Sequence, residues 1–95
     1  MIPHTEIIVL DPNTWEYNSD MGCHYYYIDS IENIDTFSVV EIGVSETLDD
    51  REFKTTQDSF KSADISRIKK TKGMVTLVSF GTKPQIPLTV DVKLY

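Results

Sequence analysis

Cys23 and His24 are adjacent, Asp20 and Asp29 lie a few residues to either side, and His4 stands near the N-terminus. These are the side chains with the chemistry to hold a metal. A structural zinc site wants four well-spaced Cys or His ligands. Cys23, His24 and His4 are the whole supply, and the first two are neighbours in a strand-prone stretch, where successive side chains point to opposite faces. The same divergence works against a Cys–His nucleophile and base, which must lie within hydrogen-bond reach of each other. Glu46, Asp49, Asp50 and Glu52 offer the oxygen ligands that calcium takes, without the alternating acidic loop around a central glycine that organises them. They read as a solvated acidic loop leading into a helix. The glycines, Gly22, Gly43, Gly73 and Gly81, are too far apart to cradle a phosphate, and no GxSxG elbow occurs. Acidic residues are plentiful, but abundance does not make the paired carboxylates of a glycosidase. No catalytic residue, metal ligand or cofactor is expected, and the chain reads as non-enzymatic.

What remains is an aromatic group. Trp15, Tyr17, Tyr25, Tyr26 and Tyr27 fall close together in the sequence. Tyrosine suits surfaces that are half apolar and half wet, such as subunit contacts and sugar-binding faces. These five residues are the candidate contact surface, set against the plainer alternative of core packing and cross-strand surface pairs.

The elements that must position them come from a chain of 95 residues, 40% apolar, with a formal charge of −6. That length suits one domain over residues 1–95 with a core that needs no metal or disulfide. The acidic balance argues against nucleic acid, whose backbone is bound by clustered Lys and Arg, and against anionic membranes. The one basic cluster, Arg67, Lys69, Lys70 and Lys72, sits beside Gly73 and reads as a solvated hairpin tip. A lone cysteine makes no intrachain disulfide. The N-terminal residues lack the basic and apolar regions of a signal peptide, and no apolar run approaches membrane-spanning length. Strand patterning that starts and ends close to both termini suits a piece cut from a longer chain.

Residues 74–95 show the clearest pattern. Leu88, Val90, Val92 and Leu94 alternate with Thr89, Asp91, Lys93 and Tyr95, the period-2 signature of a strand with one buried face. Residues 74–80 are apolar on both faces, as in a central strand. The two runs read as a hairpin around a long loop marked by Gly81, Pro84 and Pro87. Upstream, residues 6–10 form a short apolar strand stopped by Asp11-Pro12-Asn13, with Trp15 as a core lid beyond it. Residues 24–28 form a strand with Tyr25 and Tyr27 on one face and His24, Tyr26 and Ile28 on the other. A connection over residues 29–36 leads to a strand over 37–44. Residues 49–60 suit a helix, with Phe53, Gln57 and Phe60 on one face and acidic residues at its start. A strand over 63–70 turns at Lys72-Gly73. The expected fold is all-β: a small antiparallel β-sandwich or jelly-roll-like barrel of about six to eight strands with at most one short helix.

The C-terminal wording, Gly73-Met74-Val75-Thr76-Leu77, then Gly81-Thr82-Lys83-Pro84, then Ile86-Pro87-Leu88-Thr89-Val90-Asp91-Val92, resembles small β-rich modules of bacteriophage tail, baseplate and fibre-associated proteins. Those modules often open with an apolar strand followed by a Trp, as Ile7-Ile8-Val9-Leu10 and Trp15 do, and continue with an alternating Tyr or Thr strand, echoed by residues 25–28. The heavy aromatic and acidic loading between Tyr17 and Glu52 departs from their Ala-, Thr- and Gly-rich character. The resemblance implies a virion structural or attachment module that assembles with its own copies, as a trimer above all, or with other virion proteins, and that contacts host surface glycans. It transfers no site residue. Two alternatives stand beside it: a monomeric carbohydrate- or protein-binding sandwich of a bacterial surface protein, and a small acidic phage inhibitor of a host protein.

Overall fold

A computed structural model describes residues 4–62, 65–80 and 82–95. Among these residues seven strands form two antiparallel sheets. The first has three strands, with β7 (Leu88–Leu94) between β1 (His4–Leu10) and β4 (Val40–Val44). The second has four, in the order β2 (Glu16–Asn18), β3 (Cys23–Ile28), β6 (Met74–Phe80), β5 (Ile65–Thr71). One helix, α1 (Asp50–Ser62), connects β4 to β5 and lies against β7 and β4. The architecture is a small β-sandwich with one α-helix among the described residues, as the strand spacing implies.

Alternation builds the core. Leu88, Val90, Val92 and Leu94 of β7 are fully buried, opposite Leu10, Ile8 and Ile42 in the register of the first sheet. Val75 and Leu77 of β6 with Tyr26 and Ile28 of β3 supply the inner face of the second sheet. The two inner faces close one cluster, joined by Trp15, Ile31 and Ile34 from the connections. Burial of this apolar set is the main stabilising term. Tyr26 fits because its phenol oxygen accepts a hydrogen bond from the Asp11 N–H at 3.2 Å, so the polar end of a buried ring has a partner.

The C-terminal strands do not form a hairpin. β6 pairs with β3 and β5, while β7 pairs with β1 and β4. Each is central in its own sheet, which is why both carry apolar residues so densely. The intervening segment is a crossover between sheets. Lys83 Nζ donates to the Pro12 carbonyl at 2.7 Å, Ser79 Oγ donates to the Thr82 carbonyl at 2.8 Å, and Pro84 is buried. Gly81 lies outside the described residues, as do Ala63 and Asp64, where the strand expected over 63–70 begins. The strand expected over 37–44 starts at Val40; before it, Ser38 and Val39 donate their N–H groups to the Tyr95 carbonyl. Gly73 makes the tight turn between Thr71 and Met74 with a φ of 82°, a conformation glycine adopts at no steric cost. Its N–H donates to Asp35 Oδ1 at 2.8 Å, tying the turn to the short 3-10 helix Ile34–Thr36.

The expected helix is present. Asp49 caps it, its Oδ1 accepting the Glu52 N–H at 2.9 Å, and Asp50 and Glu52 place negative charge in the first turn. Thr56 is buried and Phe60 packs against the core cluster. Asp49→Ala should cost about 1 kcal/mol through loss of this cap. Urea unfolding with an unchanged slope would report it.

Candidate functional site

The five aromatic candidates part company in the fold. Trp15 and Tyr26 are 6% and 8% exposed and pack edge-to-face with ring centroids 5.2 Å apart. They belong to the core and offer no contact surface, because the inner face of β3 is covered by the opposite sheet. Tyr17 stands on β2, 62% exposed, with its ring 5.0 Å from that of His24. Tyr25 and Tyr27 point outward from the second sheet, stacked on each other at 6.1 Å with planes 15° apart.

Register explains what surrounds them. Tyr25 pairs with Val78, and Tyr27 with Thr76, which pairs on its far side with Lys69 of β5. Side chains directly opposite share a face. The outer face of the four-stranded sheet therefore gathers the two tyrosines with Thr76, Val78, Phe80 and Lys69, and Met21 and Thr71 complete a groove of about 250 Å³. Met21 is 61%, Phe80 45% and Tyr27 44% exposed, while Val78 at the floor is only 5% exposed. The face is thus an apolar floor with aromatic and thioether walls and one ammonium at its rim. Such a surface excludes water cheaply and takes an apolar or aromatic side chain from a partner.

Met21, Thr76, Val78, Phe80 and Lys69 were not among the aromatic candidates. The signal for three of them was the second apolar face of β6, where Met74, Thr76, Val78 and Phe80 alternate with Val75 and Leu77. An apolar outer face beside an outward Tyr-x-Tyr makes a patch. Only the pairing of β3 with β6 brings the two together.

The other concavities have less to recommend them. One, of about 540 Å³, is an open groove between the start of α1 and Ile86-Pro87, lined also by Thr55, Thr56 and Thr89. Its Asp49 carboxylate is already engaged as the helix cap, and no His or Cys lines it. A third, of about 320 Å³, holds His4, Glu6, Glu32 and Phe37. There His4 Nε2 lies 2.7 Å from Glu6 Oε1 and the imidazole stacks on Phe37. Among the described residues no three His, Cys, Asp or Glu side chains converge to hold a metal. Asp91 is 5% exposed, with Oδ2 accepting the Glu46 N–H at 3.2 Å and Oδ1 unpartnered. Cys23 is fully buried. No helix among the described residues is long and apolar enough to cross a membrane.

No family model, curated protein or solved structure matches this chain. The outer face of the four-stranded sheet is accordingly characterised by its own chemistry alone: two stacked tyrosines, Val78, Phe80 and Met21 with Lys69 at the rim, and no carboxylate, His or Cys among the lining residues.

Proposed function

We propose that the chain is a non-enzymatic assembly module of a phage-type particle, which joins its neighbours through the outer face of the four-stranded sheet. The observation that carries the assembly reading is the groove of Tyr25, Tyr27, Val78, Phe80 and Met21 on a sheet face that would otherwise be solvated. Antiparallel sheets with one wet face normally alternate polar residues outward. Here β3 and β6 alternate aromatic and aliphatic residues outward instead, and a cluster of that kind marks an interaction site. The virion setting rests on the wording of residues 73–92 and on the order of the apolar strand at residues 7–10, Trp15 and the tyrosine strand over residues 25–28. The partners of this reading are further copies of the chain, a trimer above all, or other particle proteins; host glycan is the runner-up ligand of the same face.

Tyr27→Glu combined with Phe80→Glu tests the assignment. Both positions are substantially exposed, so the double variant should fold with a nearly unchanged unfolding midpoint, surface substitutions usually staying within about 0.5 kcal/mol. Light scattering should show assemblies reduced to lower mass, since two carboxylates in an apolar contact, with a single ammonium, Lys69, at its rim, leave a desolvation cost that is not offset. An assembly of unaltered mass would remove this face from the account. A wild-type monomer that binds immobilised glycans, with binding lost in the variant, would favour the monomeric carbohydrate-binding reading instead.

A further inference from the structure

Four strands of the sandwich are edges: β1 and β4 in one sheet, β2 and β5 in the other. Exposed edges invite pairing, and proteins blunt them with short length, bulges, proline or lysine. β2 is three residues long. β5 carries Lys69 and Lys70 and a register shift between Ile65 and Arg67. β4 runs five residues and lies beside β5. β1 carries one charged side chain, Glu6, on its inner face opposite Val92, partnered by His4, and none of these other devices. Its seven residues pair with β7 in unbroken register, without proline, lysine or bulge. Among the described residues, no backbone group outside β7 hydrogen-bonds to residues 4–10. Outward from the sheet it presents Thr5, Ile7 and Val9, the last two 52% and 57% exposed.

We propose that β1 pairs antiparallel with β1 of a second copy about a two-fold axis at Ile7, joining two three-stranded sheets into one. The strand is self-complementary in that register. Full overlap sets Ile7 against Ile7, Thr5 against Val9 and Glu6 against Ile8. Residues opposite each other share a face, so the Thr5, Ile7 and Val9 rows of the two copies merge into one apolar stripe. Charge selects the same register. Glu6 is the strand's one carboxylate; centring on Glu6 would set like charges directly opposite, which is destabilising. Centring on Ile7 separates them, and His4 stays beside each Glu6 at 2.7 Å. The contact is isologous, as two-fold pairing requires. Seven residues a side is well below the roughly 20–30 a side of a standard interface, so the pair should dissociate on dilution.

This contact lies on a different sheet from the aromatic face and stands without it. Ile7→Cys treated with a short bis-maleimide tests it, because native Cys23 is fully buried and does not compete. Val39→Cys, at an apolar position 51% exposed outside β1, is the control. The tethering expected at a two-fold axis raises local thiol concentration, so Ile7→Cys should give covalent dimer at least roughly tenfold faster than the control. Ile7→Lys should remove the dilution-sensitive dimer from light scattering without moving the unfolding midpoint of dilute protein. Equal cross-linking rates at the two positions would overturn the proposal. The Tyr27→Glu, Phe80→Glu background should leave cross-linking at Ile7→Cys intact; its loss there would overturn strand pairing as an independent contact.

Discussion

Trp15→Ala should destabilise the protein by about 3–4 kcal/mol, near the top of the range for single substitutions. The indole, carried by the connection that follows β1, is buried and meets Tyr26 edge-to-face at 5.2 Å. Alanine would remove most of its apolar area and leave a cavity that the sheets are too rigid to close. One feature works the other way. Trp15 Nε1 is buried without a hydrogen-bond partner, and an orphaned donor carries its own desolvation cost. Trp15→Phe keeps the edge-to-face ring contact and removes that donor. It should therefore lose much less than Trp15→Ala. Chemical unfolding of both variants checks the pair; equal losses would mean that the ring contact is not what holds Trp15 in place.

Leu77→Ala should cost about 3 kcal/mol, within the usual span for a buried leucine. Leu77 is fully buried on β6, the strand flanked on both sides by β3 and β5, with Tyr26 and Ile68 directly opposite it. In a chain of this size such a loss lowers the unfolding midpoint by about 15 °C. Thr76→Ala, next along β6 but facing outward, should move it far less. Calorimetry on the two variants separates the inner from the outer face of one strand, and comparable shifts would contradict the assigned alternation.

The strands were legible wherever one face is apolar. Leu88, Val90, Val92 and Leu94 gave β7, and all four are fully buried. Tyr26 and Ile28 face inward and Tyr27 outward, the partition that period 2 requires. Which set would be buried depended on the opposite sheet and could not be read from six residues. The helix was legible from Asp49, Asp50 and the spacing of Phe53 and Phe60. Pairing was not. β6 and β7 are consecutive and each strongly strand-prone, so a hairpin was the local inference. The crossover between sheets is set by where β1, β3, β4 and β5 need partners, which is a property of the whole chain. The same limit applied to the site. Tyr25 and Tyr27 were visible as an outward pair, but Val78, Phe80 and Met21 join them only through the β3–β6 register. Trp15 reads both as a core lid, which its burial matches, and with Tyr26 as a contact residue, because aromatic type does not distinguish a core ring from a contact ring.

Asp91 illustrates a different failure of local reading. The alternation places it on the polar face of β7, yet it is 5% exposed between Ile7 and Gly43. The face that period 2 assigns to solvent is covered near the start of the 45–49 connection, where the Glu46 N–H reaches the carboxylate. A pattern in one strand records its own alternation and not what a loop lays over it.

Both proposed contacts require the chain to associate with its own copies in solution. Molar mass by size exclusion with light scattering, taken across a dilution series of the wild-type protein, tests that association most directly. The expected result is a multiple of the single-chain mass at high concentration, with a step toward lower mass on dilution as the weaker contact opens. A single-chain mass at every concentration would contradict it.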